Sequence, residues 1–294
     1  MDFVTYLFFL FLVTIIGITP FFILYGFADF VYFVLYKLLG YRKPVVQSNL
    51  RKVFPDKSDK ELKQIEKASY KNLADIFVEG VKGFTMSKKT IMKRHKLLNP
   101  EILKEFYEKN QGVIVAAAHY GNWEWGAFSA AYFSKNIIVG LYKPLSNKYM
   151  DGFAIRSRAK AGTILAPVNK TAYYFEQYAN KASVFLMAGD QSPSNVNKAI
   201  WVDFLGIDTA FLHGVEFYAK KYNLPVLFLH MKRKKRGMYG YSLEVIVDNP
   251  SETKPGEITH KYAKMIEAMI LANPGDWLWS HKRWKHSRKP DNNK

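Results

Sequence analysis

An α/β domain with a mostly parallel sheet flanked by helices, preceded by an N-terminal transmembrane helix, is the fold class that three observations predict. The chain opens on a long uncharged apolar run, short apolar segments alternate with helical patterns from residue 113 to residue 188, and turn residues punctuate that alternation. With 294 residues and 49% hydrophobic side chains the chain can furnish a real core, and no internal repeat, low-complexity tract or long linker divides it. The economical organisation is a membrane anchor over residues 1–37 and one globular domain over 38–294.

From Phe3 to Ala28 no side chain is charged, and a helix of that length exceeds the roughly 30 Å of bilayer hydrocarbon. The start, Met-Asp-Phe, lacks the positive residues of a secretory signal, so a retained anchor is expected. Pro20 can kink or divide the helix, which leaves a re-entrant or tilted hairpin as the alternative. Lys37, Arg42, Lys43, Arg51 and Lys52 crowd the C-terminal flank, and this bias places the globular body in the cytoplasm, on an inner membrane.

Ser58 and Glu61 form a capping box ahead of apolar residues at Leu62, Ile65, Leu73, Ile76, Phe77 and Val81, which predicts an amphipathic helix with its lysines toward solvent or headgroups. A second helix is expected from Asn99 as cap and Pro100 in the first turn, ending before Gly112. Then "GVIVAAA", "NIIVGLY", "GTILAP" and "ASVFLMA" read as strands, with helices in "NWEWGAFSAAYF", "NKYMDGFAIRSRAKA" and "KTAYYFEQYAN" between them. "LPVLFLHMKRKKRGMYGYSLEVIV" reads as a hairpin with a basic tip, and a last helix runs from about Gly256 to Leu271.

Lysine and arginine number 43 against 25 acidic residues, a net +18 that calls for a polyanionic partner: nucleic acid, a phosphorylated substrate or an anionic membrane. The absence of cysteine excludes disulfides, thiolate metal sites and a cysteine nucleophile.

The chemistry concentrates in "HYGNWEWGAF". His119 is the first residue past an apolar strand, where open α/β sheets bind their ligands, and Glu124 follows after a turn that Gly121 permits and Asn122 can cap. A carboxylate that accepts the imidazole N–H fixes the tautomer and leaves the other nitrogen free to take a proton, so His119 reads as a general base and Glu124 as its orienter. The spacing by itself also occurs in structural histidines. No H-E-x-x-H zinc motif, G-x-S-x-G elbow or phosphate loop is present, and the base is expected to activate a hydroxyl or amine of the substrate directly.

"AAHYGNWEWG" resembles the first motif of the lysophospholipid acyltransferase superfamily, in particular its lipid A late acyltransferase branch, the lauroyl and myristoyl transferases of Gram-negative bacteria. "GLYKPLSNKYMDGFAIRSRAKAG", "LMAGDQSP", "WVDFLGIDTAF" and "WLWSHKRWKHSR" resemble further blocks of that branch in the same order, from about Pro44 to Arg288. Two positions depart from it: Lys143 stands where the branch often has arginine, and Asp190-Gln191 where it commonly has Asp-His. A lysine is a point charge without a planar fork, so a bidentate phosphate grip is not expected there.

The resemblance implies a membrane-bound O-acyltransferase that moves a fatty acyl group from an acyl carrier protein or CoA thioester to a hydroxyl of a phosphorylated glycolipid, most simply a lipid A precursor. It implies His119 as base and Glu124 as orienter, with Asn122 or backbone N–H groups at the oxyanion, and no metal or organic cofactor. Arg156 and Arg158 are two apart in a helix, so at most one of them faces the site. Asp190 ends a strand at the same sheet edge as His119, where it either orients an arginine, binds the acceptor headgroup or caps a helix. With Lys143, these are the expected substrate-binding residues, and an apolar groove beside the sheet is expected to hold the chain.

"KRKKR", Lys232 to Arg236, is either a solvated hairpin tip or a contact to acidic headgroups. Trp277, Trp279 and Trp284, interleaved with Lys282, Arg283 and Lys285, form either a nucleic-acid stacking platform, interfacial anchors or packing close to the site; no nucleic-acid partner is expected. Acylation of another lipid, such as a lysophospholipid, an aminolipid or a phosphoinositide mannoside, is the alternative within the enzyme class. A non-catalytic, membrane-tethered binder of anionic lipid or nucleic acid is the alternative outside it.

Overall fold

Asp2–Ile18 (α1) and Phe21–Phe33 (α2) take up the uncharged run as two helices, because Pro20 lacks the N–H that would continue the first one. A π-helical turn carries the second to Leu38, and Phe21–Leu38 makes an 18-residue apolar helix long enough to span a membrane. The break is built into the fold: the buried Lys82 ammonium donates to the carbonyls of Ile16, Gly17 and Thr19 at 3.0, 2.6 and 2.8 Å, satisfying oxygens left open where α1 stops.

The computed structural model describes residues 1–288, so the last six residues of the domain expected over 38–294 lie outside the described residues. Lys43–Val53 (α3) leads into the 25-residue helix Asp59–Gly83 (α4), which starts at the expected capping box. There the Ser58 N–H donates to Glu61 Oε2 at 2.9 Å and the Glu61 N–H to Ser58 Oγ at 3.3 Å. Lys88–Arg94 (α5), a short strand His95–Leu97 (β1) and Glu101–Glu108 (α6) follow. Asn99 does not cap α6; its side chain donates to the carbonyl of Leu243 and accepts from its N–H, extending the sheet edge instead.

The central alternation is as the sequence predicts: Val113–Ala117 (β2), Gly126–Phe133 (α7), Ile137–Tyr142 (β3), Lys148–Ala159 (α8), Thr163–Pro167 (β4), Thr171–Tyr178 (α9) and Ser183–Ala188 (β5). Ile200–Phe204 (β6) and Ile207–Phe211 (β7) form a separate hairpin, followed by Gly214–Tyr222 (α10), the strands Val226–Lys235 (β8) and Met238–Val247 (β9), and Glu257–Ala272 (α11). The seven-stranded sheet has the order β1-β9-β8-β2-β5-β3-β4, and every neighbouring pair except β8 with β9 is parallel. Its central strands are nearly inaccessible, with Val113, Ile114, Val115 and Ala116 all at 1% exposure or less, which is why they read as continuous apolar runs. One α/β domain therefore stands behind the apolar N-terminal helices.

The basic hairpin tip is only partly solvated. Arg233 donates to Asn72 at 2.8 Å and pairs with Asp75, while Arg236 pairs with Asp75 and, at 2.7 Å, with Asp29 of α2. Lys232, Lys234 and Lys235 remain exposed. Two of five charges of the cluster thus fasten β8 and β9 to α4 and α2.

Candidate active site

β2 and β5 lie side by side in register, with Ala117 opposite Ala188. Two residues further along each strand stand His119 and Asp190, so the same register brings them together at the C-terminal edge of the sheet, where an α/β site is expected. The Asp190 carboxylate is 2% exposed and takes three hydrogen bonds. One oxygen accepts the His119 ring Nδ1–H at 2.6 Å; the other accepts the His119 backbone N–H at 2.9 Å and the Trp277 indole N–H at 3.0 Å. Because an ionised carboxylate only accepts, the imidazole carries its proton on Nδ1, and Nε2 presents a lone pair. Among the described residues Nε2 has no hydrogen-bond partner, and the side chain is 20% exposed.

The electrostatics follow from that pairing. Burial works against charge on His119, but the facing Asp190 carboxylate and its hydrogen bond outweigh it, with a smaller contribution from Glu124, and the imidazole is held above its ordinary range. Asp190 is likewise raised by burial, yet the imidazole, the indole N–H and the backbone N–H bring it below the usual carboxylate range. The pair is built to stabilise an imidazolium.

Glu124 does not orient the imidazole. Its carboxylate accepts from Arg158 at 2.8 Å and from the Trp123 indole at 3.2 Å. The turn from Asn122 to Trp125 is the reason: α7 begins only at Gly126, so the helix expected from Asn122 is a loop at its start and directs Glu124 toward α8. Arg158 is 14% exposed at its side chain and lies over the rings of Phe128 and Phe84 at 5.4 and 5.8 Å, whereas Arg156 is exposed on the other side of α8. The two arginines of the pair thus point to different sides of α8, as helix geometry requires.

Asn122 is fully buried and is kept from any substrate. Its amide donates to Glu79 at 2.6 Å and its oxygen accepts the Trp125 N–H at 3.0 Å, so it braces the loop and is not an oxyanion donor. Glu79, on α4, also accepts from Tyr25 at 2.9 Å and Tyr239 at 2.8 Å, and burial pushes its carboxyl up to about 7 against the pull of those donors. Lys143, one residue past β3, is exposed; β3 is two strands from β2, which puts it about 10 Å across the sheet edge.

The C-terminal segment closes the site from the other side. Gly121 donates to the Asp276 carbonyl at 2.9 Å and Leu278 to the His119 carbonyl at 3.2 Å, joining the two segments like a short strand pair. Gly121 has a φ of +55°, and a Cβ there would lie 2.7 Å from Met231 Cγ, so only glycine fits. Trp277 and Trp279 are 3% and 1% exposed, which leaves no open stacking platform of those residues for nucleic acid. Arg283 is 2% exposed, donates to the Ala210 carbonyl at 2.7 Å and lies 4.3 Å over Phe211; burial lowers it to about 10.

Trp123, whose ring centroid is 5.2 Å from that of His119, lines an apolar crevice with Leu73, Ile76, Trp277 and Leu278. Its volume of about 10 Å³ admits no acyl chain, so the expected groove is not open at this place. The sequence reading missed Asp190 as partner of the imidazole and Glu79 as brace of the loop; strand-end position flagged the first, while nothing in its own stretch of sequence distinguished the second.

Residues 2–286 match the family described as bacterial lipid A biosynthesis acyltransferase. Among curated proteins the chain is similar to the lipid A biosynthesis palmitoleoyltransferase of Escherichia coli K12 and the lipid A biosynthesis acyltransferase of Shigella flexneri, each 21% identical over 83% of this chain and 79% of theirs. The lipid A biosynthesis lauroyltransferase of Escherichia coli K12 is 19% identical, again over 83% of this chain and 79% of its own length.

Proposed function

The chain belongs to the bacterial lipid A biosynthesis acyltransferase family and is a membrane-associated O-acyltransferase, and from that premise we propose that His119 and Asp190 carry out the transfer of a fatty acyl group to a hydroxyl of a lipid A precursor. One observation carries the assignment: an imidazole whose Nδ1–H is held by a buried carboxylate while Nε2 stands free at a sheet edge.

Nε2 takes the proton of the acceptor hydroxyl as that oxygen attacks the thioester carbonyl of the donor, an acyl carrier protein or CoA conjugate. Asp190 keeps the tautomer and stabilises the imidazolium that forms. The tetrahedral intermediate then expels the thiolate, which recovers the proton from Nε2, so no covalent enzyme intermediate is needed. Arg158, held by Glu124 and resting on Phe84 and Phe128, serves the oxyanion or an acceptor phosphate, and Lys143 meets a phosphate farther along the edge. Residues 1–37 attach the protein to the cytoplasmic face of the inner membrane.

Purified His119→Ala, given an acyl thioester and extracted lipid A precursor, is expected to lose transfer by at least about 10²-fold while its expression and membrane association stay unchanged. Retained turnover refutes the base assignment. Mass spectrometry of the acylated product of the unaltered enzyme identifies the acceptor: an acylated phospholipid or aminolipid, with no change in the glycolipid, would favour the alternative within the same chemistry.

A further inference from the structure

α2 does not stand clear of the domain. It runs antiparallel along α4 for most of its length: Leu24 and Ala28 pack on Val78, Tyr25 donates to Glu79, Asp29 shares Arg236 with Asp75, the Lys71 ammonium lies 5.8 Å over the Tyr32 ring, and Tyr36 packs 5.1 Å from Tyr70. From Leu24 to Tyr36 this contact extends for about 18 Å, more than half of the roughly 30 Å hydrocarbon thickness. The hairpin tip is wedged in as well, since a Cβ on Gly237 would fall 1.7 Å from the Tyr25 hydroxyl oxygen.

Along the same length α4 exposes Lys71, and Lys60, Lys63 and Lys67 follow on the stretch of α4 beyond the contact. If α2 stood along the bilayer normal, the Asp29–Arg236–Asp75 cluster and Lys71 would be drawn into hydrocarbon beside it, where each charge is strongly disfavoured. The outer face of α2 is wholly apolar, with Phe22, Ile23, Phe27, Phe30 and Phe33 exposed, while its inner face mixes the buried Leu24 and Ala28 with the hydroxyls of Tyr25 and Tyr32. The inner face is spoken for by the domain, which leaves only the outer face to meet lipid.

α1 repeats the pattern. Tyr6 stacks on Tyr149 at 5.7 Å and Phe9 packs on Phe84 and Phe153 at 5.9 and 5.5 Å, while Val4, Leu7, Phe8, Phe11 and Ile18 are exposed. Both ends of the pair touch the same domain: the Asp2 carbonyl accepts from Asn147 at the start of α8, and Tyr36 meets α4. Exposed Lys37, Lys71, Lys234 and Lys235 lie beside α2 and complement an anionic leaflet.

We infer that α1 and α2 bind the protein to one leaflet of a bilayer as a re-entrant pair lying in the interface, with the N-terminus on the same side as the globular domain. The inference concerns topology and does not depend on the chemistry assigned to His119. It is tested in bacterial membrane vesicles with a protease-cleavable epitope ahead of Met1 and, because the chain has no cysteine, with Lys67→Cys as a single reporter on α4. In inverted vesicles the epitope is expected to be cleaved and Cys at position 67 to react fully with a membrane-impermeant maleimide, and in right-side-out vesicles neither reaction occurs. Cleavage of the epitope only in right-side-out vesicles, or a position 67 that reacts only after detergent is added, overturns the inference.

Discussion

Two histidines face opposite fates around one loop. His119, at the open end of β2, has a buried carboxylate on one ring nitrogen and an accessible second nitrogen, and it is held above the ordinary range. His95, at the start of β1, is fully buried against Trp125, Tyr239 and Tyr241, bonds the Ser129 hydroxyl at 2.7 Å, and burial drives it down to about 3. Both are strand-end histidines, so position alone does not make a base. A charged partner together with an open second nitrogen does.

The sharpest test of that contrast is Asp190→Asn. Its amide removes the charge that stabilises imidazolium and permits the wrong tautomer, so turnover is expected to fall about 10²–10⁴-fold, with stability changed far less than activity. His95→Ala should do the reverse. It empties a well-packed site and is expected to destabilise the protein by about 2–4 kcal/mol, while the folded fraction turns over close to the unaltered rate. Equal losses of activity in both variants would break the distinction drawn between them.

Glu124→Gln gives a smaller effect of a different kind. Glu124 reaches His119 only through its field, so the variant is expected to lose roughly tenfold or less and to move the acid limb of the rate profile toward lower pH, because one charge that raised His119 is gone. A 10³-fold loss with a downward shift of the acid limb as large as that of Asp190→Asn would mean that Glu124, and not Asp190, orients the base in the working enzyme.

The smallest effect concerns stability against pH. His95 sits below its free value of 6.5 in the fold, so its contribution is complete above that pH and is lost as pH falls toward about 3. Glu79 has the opposite sign: its folded value is raised from 4.5 to about 7, so its contribution is present below 4.5 and lost as pH rises through about 7. Between these limits the two slopes, each at most about 1.4 kcal/mol per pH unit, oppose each other. Glu79→Gln removes one of them, and chemical denaturation between pH 4.5 and 6.5 is expected to show a steeper loss of stability on acidification than in the unaltered protein.

Local pattern was enough for much of the fold. The capping box at Ser58 and Glu61, the buried β2 and β5, and the alternation through α8 and α9 are written in residues a few positions apart, because burial and helix or strand period leave their mark within one element. His119 was legible for the same reason, as the first polar residue after an apolar strand. The Asn122–Trp125 turn was not: its residues fit a helical period, and what holds them out of it is Glu79, from an element far away in sequence.

The amino-acid sequence by itself therefore determined the α/β class, the strand-end histidine and the apolar start of the chain. Tertiary structure alone decided which acid serves that histidine, since His119 and Asp190 are 71 residues apart and meet only because β2 and β5 pair in register. It also decided that Glu124 goes to Arg158, that two arginines of the basic hairpin are spent on Asp75 and Asp29, and that the apolar start folds back on α4. The physical reason is common to all four. Burial is recorded locally in the order of residues, whereas the choice of a charged partner is settled by strand order and helix packing, which bring together groups that no local period relates.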